Sequence, residues 1–395
     1  MEALEGKKYR NMFLEIGKNE QEIEDRLKEI SDTFFYGEDR LFFPVGEDMA
    51  YIEDTGNHDV RTEGMAYGMM LSVQLDKQEE FDRLWTWTKT YMWMEQGENE
   101  GYFAWSCKTD GSRNSDGPAP DGEEFFAMAL FFAAHRWGER EGIFNYSTEG
   151  KEILRACLHK GENGRPGYPM WDRERKQILF IPGCDFTDPS YHLPHFYELF
   201  GLWAYEEDRG FWKEAAAASR EYLVKACHPV TGMSAEYAEF DGSPMSRSLP
   251  NMSERHDWFY SDAYRTAANI GLDYEWFGVD SGQRTAVVRL MHYLGRVRRE
   301  NPFLIYEVDG TPVNQKALHP TAIIATTAQG ALAVPHSLTE ENEESVLAGE
   351  WLKRFWNEPM RIGERRYYDN CLYLFAFLAL SGNYRIWSQK KRTSV

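Results

Sequence analysis

Three carboxylates, Glu63, Asp121 and Asp262, stand where loops meet apolar segments, and a carboxyl is a group that can give or take a proton. Glu63 lies at the start of TEGMAYGMMLSVQL, a run from Thr62 with no cation downstream of it. A charge entering a buried helix is costly without a task. Two readings stand. One is a first-turn carboxylate favoured by the helix dipole; the other is a carboxyl whose pKa rises in low-dielectric surroundings, leaving a proton to donate near neutral pH. Asp262, in WFYSDAYRTAANIG, resembles a helix cap, yet Arg265 follows three residues later on the same helical face and would hold it ionised. An ionised aspartate opposite a protonated glutamate is the division of labour that glycoside hydrolysis requires. Asp121, in SDGPAPDGEEFF, has the residue type of an N-cap, and that is its plainer reading.

Polar residues open further apolar segments: Tyr191 with His192, then His319, then Tyr367 with Tyr368. The six stations recur at intervals of 49 to 71 residues, as expected if each helical hairpin carries one of them to the same end of a ring. A central cleft lined by carboxylates and aromatics would follow. His192 and His195, at i and i+3, have a spacing that can ligate a metal, but no carboxylate-rich partner motif accompanies them and Pro194 intervenes. A structural or substrate-wall role is the expectation. His319 precedes Pro320, a proline suited to the first helical position, so it also reads as a plain loop residue. Asp110, Ser112, Asn114 and Asp116 hint at calcium but lack the EF-hand glycine and distal glutamate. No HExxH, GxSxG, Walker loop or GxGxxG is present, which removes zincins, α/β-hydrolases, P-loop enzymes and ordinary dinucleotide oxidoreductases.

The elements that must position these residues are helices of two kinds. Segments near 20–33, 148–158, 211–227 and 340–356 place apolar residues at i, i+3, i+4 with one wet face. Segments at 64–75, 124–134, 195–204, 263–270, 320–334 and 368–380 are apolar nearly all round and must be buried on every side. Their rough alternation predicts helical hairpins, an inner ring wrapped by an outer one. Strict period-two alternation is scarce, so any strands are expected to be short and peripheral. Gly271 and Gly382 are expected to follow the ends of two inner helices.

Composition narrows the function. The net charge of −20 argues against nucleic acid and anionic membrane, whose phosphates need clustered Lys and Arg. A neutral substrate tolerates such a surface. Aromatic residues make up 15%, including 13 Trp and 22 Tyr; flat rings with a polar edge suit sugar faces, although bulky cores also collect them. The five cysteines are dispersed, without a CxxC pair, and read as reduced buried thiols of a cytoplasmic protein. The N-terminal MEALEGKKYRNMF has no apolar h-region, and the longest apolar run, Cys371 to Leu380, is too short to span a bilayer. No linker divides the chain, so residues 1–395 are expected to form one domain. Oligomeric state is not encoded in any of these features.

The segments DVRTEGMAYGMM, FAWSC, PAPDGEEFFAMALFFA, DPSYHLPHFYELF, SDAYR, LHP and RRYYDNCLYLFAFLALSGN together resemble glycoside hydrolase family 8. Within the family, the likeness is nearest to reducing-end xylose-releasing exo-oligoxylanases and runs from about residue 8 to about residue 390. The resemblance implies an all-α (α/α)6 barrel, an inverting mechanism, xylo-oligosaccharide substrates and no metal or organic cofactor. It makes Glu63 the general acid, Asp262 the general base and Asp121 the third central acid, beside a distorted sugar. Trp105 matches a sugar-stacking position and Tyr191 a tyrosine that helps hold the nucleophilic water. Leu318, His319 and Pro320 match a kinked loop that closes the cleft beyond the first reducing-end sugar, with His319 binding the terminal hydroxyl. Arg61, Arg265, Tyr367 and Tyr368, inside the matched motifs, complete the expected sugar-binding set. The pattern departs at 243–257, SPMSRSLPNMSERHD, which is lengthened just before the base. The competing expectations are an endo-acting family-8 hydrolase on xylan, β-glucan or chitosan, and a non-catalytic sugar-binding α/α toroid.

Overall fold

The computed structural model describes residues 7–248, 255–280, 282–300 and 302–388. The segment 243–257 is therefore only partly visible, because 249–254 lie outside the described residues. Among the described residues, a short turn of helix, α1 (Met12–Glu15), is followed by twelve longer helices. The outer ones are α2 (Glu20–Phe35), α4 (Gln78–Trp87), α6 (Tyr146–His159), α8 (Arg209–Ala226), α10 (Gln283–His292) and α12 (Glu343–Asn357). The inner ones are α3 (Thr62–Gln74), α5 (Pro120–Trp137), α7 (Pro194–Trp203), α9 (Arg265–Phe277), α11 (Pro320–Gly330) and α13 (Arg366–Leu380). Inner and outer helices alternate strictly along the chain. Each inner helix packs on the next, α3 on α5, α5 on α7 and so round to α13, which closes on α3. This is the (α/α)6 barrel, and the ten helical segments read from the sequence are all in it. The helices α4 and α10 were not foreseen; each is ten residues long and passes into a π turn, so its apolar stripe is brief.

Local chemistry explains the boundaries. Asn19 caps α2 reciprocally with Glu22, Pro120 and Pro320 occupy the first positions of α5 and α11, and Gly382 follows α13 with φ +72°, as expected of a residue past a helix end. Gly271 has a different task. It lies inside α9, where a Cβ would come within 2.5 Å of the Gln329 carbonyl oxygen, so the missing side chain lets α9 and α11 pack closely. One continuous apolar core extends from Met12 to Ile386. All of α13 from Tyr367 to Leu380 is buried, and each fully buried Leu or Phe there contributes about 1.5–3 kcal/mol relative to an exposed one.

The aromatic excess serves the core first: Trp85, Trp87, Trp171, Trp212, Trp276 and Trp351 are all buried. All five cysteines are free, with Cys184 half-buried rather than buried. Strands are short, at most five residues, but they are not all peripheral. The pair Val60–Arg61 with Ser106–Cys107 leads into α3, and Trp258–Phe259 leads toward Asp262.

Candidate active site

The N-terminal ends of the inner helices converge. At α3 and α5 the approach is close: a Cβ on Gly122 would lie 2.4 Å from Thr62 Cβ, so only glycine lets these two helix starts meet. Glu63 and Asp121 are each the second residue of their helices. Arg61 and Ala119 hold the cap positions, so Asp121 is no cap; its Oδ1 accepts the neighbouring Gly122 N–H at 2.9 Å. Nor does Asp262 cap α9, whose N-cap is Tyr264. Instead Asp262 sits in a 3-10 turn, Ser261–Tyr264, just ahead of the helix.

Arg265, the first residue of α9 and only 4% exposed, ties these groups together. Its Nη1 donates to Glu63 Oε2 at 2.6 Å, to Tyr67 Oη at 2.9 Å and to Asp121 Oδ2 at 3.5 Å. Nη2 lies 3.1 Å from Asp262 Oδ1 and 3.8 Å from Asp188 Oδ2, while Nε donates to Ser190 Oγ at 3.1 Å. The guanidinium also rests against the rings of Tyr191 and Tyr368.

One cation among four carboxylates leaves a surplus of negative charge in a poorly hydrated place, and protons relieve it. Burial, only partly offset by Arg265, raises the Glu63 carboxyl and pushes Asp121 up to about 7. Burial and the Asp262 charge raise Asp188 well above the ordinary aspartate range. Side-chain exposure separates their roles: 0% for Asp188, 10% for Asp121, 13% for Glu63 and 24% for Asp262. Asp262 is thus the carboxylate best reached by water, while Glu63 and Asp121, at two helix mouths, are more enclosed.

Glu63 is fixed at both oxygens, because Tyr367 Oη donates to its Oε1 at 2.8 Å. Tyr368 Oη donates to the Ser261 carbonyl at 3.0 Å, beside the proposed base. Ser261 has φ +40°, a left-handed conformation that costs a non-glycine residue about 1–3 kcal/mol. Arg61, held by Asp54 at 3.2 Å and Asp59 at 3.0 Å, lies against the half-buried Trp105 ring, whose carbonyl accepts the Thr62 N–H. His319 Nδ1 lies 3.0 Å from Asp369 Oδ2, with its ring 4.9 Å from that of Tyr368. Arg361 bonds the same Asp369 and the Leu318 carbonyl, so the 318–320 segment is clamped to α13.

The two other histidines part company. His192 is buried between Thr187 and Ser219 with its ring on Tyr222, and His195 is buried against Trp276; both are packing residues. Asp110 spends its Oδ1 on Ser112, and among the described residues no group of three or more His, Cys, Asp or Glu is placed to hold a metal ion.

Sequence reasoning missed Asp188, Tyr67, Ser190 and Asp369. Tyr67 had a signal, since it is four residues from Glu63 on one helical face. Asp188 had none, because Arg265 comes from a distant segment, and Asp369 had only Arg361, eight residues before it across a loop.

The model of the glycosyl hydrolases family 8 matches residues 47–381. The reducing end xylose-releasing exo-oligoxylanase of Halalkalibacterium halodurans is 52% identical over 384 residues, covering 96% of this chain and 95% of the relative. The reducing-end xylose-releasing exo-oligoxylanase Rex8A of Paenibacillus barcinonensis is 52% identical over 381 residues, covering 96% and 97%. The solved structure of Rex8A complexed with xylose superposes with a TM-score of 0.91 at 51% identity, covering 97% of this chain and 98% of that one. With a family match across most of its length and relatives at this identity, the chain belongs to the glycosyl hydrolases of family 8 and is a glycoside hydrolase.

Proposed function

We propose that the protein is an inverting glycoside hydrolase that releases xylose from the reducing end of β-1,4-xylo-oligosaccharides. The observation that carries the mechanism is the single guanidinium of Arg265 gathering Glu63, Asp121 and Asp262 from three inner helix mouths. The substrate class rests on the names of the relatives that match over nearly the whole chain. The relatives named endoglucanases, which would favour the endo-acting alternative, are only 25–26% identical over 83% of this chain.

Glu63, whose pKa burial raises, donates a proton to the glycosidic oxygen as the bond breaks. Asp262, the most open of the four carboxylates, takes a proton from the water that attacks the opposite face of the anomeric carbon. Inversion needs room for that water, so the carboxyl groups work at a separation of roughly 6.5–9.5 Å. Tyr191, braced by Arg265, helps hold the water, and Asp121 stabilises the distorted sugar. Trp105 offers a stacking face beside Arg61, and His319, oriented by Asp369, meets the terminal hydroxyl beyond the cleaved bond. Tyr367 and Tyr368 complete the sugar-binding wall.

We take residues 1–395 as one catalytic domain, in keeping with the continuous core, and as cytoplasmic, in keeping with five unpaired cysteines. Among the described residues no helix is long and apolar enough to cross a membrane.

Incubation with xylotriose labelled at its reducing end, followed by NMR, tests the proposal. The label is expected on free xylose alone, and the newly made reducing end of xylobiose is expected first as the α anomer. A β anomer at early times, or label on xylobiose, overturns it.

A further inference from the structure

The barrel interior behind the catalytic groups contains a second space. A cavity with about 30 Å³ for the centres of water-sized molecules runs inward from Asp121 and Arg265, in the first turns of α5 and α9, past Glu124 and His195 to Leu272 and Tyr384. One water needs roughly 10–15 Å³ measured in this way, together with two to four polar partners, so the space suits about two waters. The partners are present. Neither oxygen of the Glu124 carboxyl, nor His195 Nδ1, nor Tyr384 Oη makes a hydrogen bond to another described residue, and the three residues are 0%, 1% and 3% exposed.

Glu124 lies one turn after Asp121 on the same face of α5. The charged and titratable groups facing it are Tyr197, Asp121, Arg265 and Glu123, and the Tyr197 hydroxyl already donates to the Tyr191 carbonyl at 3.1 Å. Burial pushes the Glu124 carboxyl well above the ordinary glutamate range, toward the neutral acid, which has one proton to donate and an oxygen left to accept. Burial likewise pushes His195 down to about 3, so its imidazole is neutral. A residue needed at 124 for packing alone would be apolar, since Phe125, Leu272, Leu372 and Phe375 line the same space. Asp121, meanwhile, is loosely held: its Oδ1 takes the Gly122 N–H, but among the described residues its Oδ2 has only the long 3.5 Å contact to Arg265 Nη1.

We propose that this cavity is a water site of the catalytic centre and that Glu124 is a positioning residue: through the bound waters it steadies Asp121 Oδ2 and Arg265 from inside the barrel, so that Asp121 meets the distorted sugar in one pose. His195 and Tyr384 satisfy the same waters at the inner end. The inference rests on Asp121 serving the proposed reaction.

High-resolution crystal structures and rates on xylotriose test this on the native protein, Glu124→Gln and Glu124→Leu. Waters joining Glu124 to Asp121 are expected in the native protein; a dry cavity, or waters that reach no oxygen of Asp121, overturns the proposal. Gln keeps a donor and an acceptor and is expected to hold kcat within about twofold of native. Leu fills the space without polar atoms and is expected to lower kcat per folded molecule about tenfold, with KM within about threefold. The folded fraction is taken from a thermal melt of each variant. Unchanged kcat in Glu124→Leu after that correction, or an equal loss in Glu124→Gln, overturns the positioning role. Should Glu124→Leu not fold, Tyr384→Phe, which removes one hydroxyl facing the same waters, carries the test: kcat lowered about threefold supports the proposal and unchanged kcat overturns it. A native protein that leaves xylotriose intact overturns the substrate reading instead, and the same ratios are then read on the oligosaccharide it does cleave.

Discussion

Arg265 Nη1 lies 2.6 Å from Glu63 Oε2, joining residues 202 positions apart. The first-turn glutamate without a local cation has one after all, on the opposite side of the ring. The same guanidinium is shared with Asp121, Asp262 and Asp188, so no single carboxylate is fully neutralised by it.

Glu63→Ala removes the proton donor. Activity on xylotriose is expected to fall about 10²–10⁴-fold, the usual worth of general acid catalysis. Xylobiosyl fluoride, whose leaving group needs little protonation, is expected to lose roughly tenfold or less. Steady-state rates on both substrates check this, and equal losses would show that Glu63 acts structurally.

Arg265→Met leaves buried carboxylates without their cation, and breaking a buried pair costs about 3–5 kcal/mol. Denaturant unfolding at pH 8 is expected to show a loss of that order. At pH 5 the loss is expected to be smaller, because burial-raised groups such as Asp121 already carry protons there. The same loss at both pH values would mean that Arg265 supports the fold through packing alone.

Asp121, pushed up to about 7 in the folded protein, binds a proton that the unfolded chain releases near its ordinary value of 3.8. Between those limits the native state holds the extra proton, so this group's contribution to stability is full at low pH and declines as pH rises through about 7. The decline is at most about 4 kcal/mol. Asp121→Asn is expected to flatten the stability profile between about pH 4 and pH 7 and to be more stable than the native protein at pH 8. Chemical unfolding across that range measures it; parallel profiles would place the Asp121 proton elsewhere.

His319→Ala removes the imidazole that Asp369 holds and that we propose meets the terminal hydroxyl. The variant is expected to release xylobiose as well as xylose from the reducing end of longer labelled xylo-oligosaccharides. Chromatography of the labelled products decides it. Xylose as the sole labelled product would show that the clamped 318–320 backbone, and not the imidazole, sets the end of the cleft.

The sequence determined the barrel, because the decision to bury a helix on one face or all round is made by residues within a few turns of each other. EFFAMALFFAA and CLYLFAFLAL have no wet face, so they had to be inner helices, and the residues opening such segments had to share an end. It also marked Asp262 with Arg265, three residues apart, since one turn of helix fixes that distance. Tertiary structure decided the rest. Gly271 looked like a helix end and proved to be a contact between α9 and α11, for its reason lies at Gln329, far along the chain. Asp121 and Asp262 looked like caps, and only the observed helix starts, at Pro120 and Arg265, release them from that task. Asp188 stayed hidden inside a motif because its partner is on another helix. Whether Glu63 holds a proton was likewise beyond the sequence, since that follows from desolvation and from charges that only the closed ring brings together.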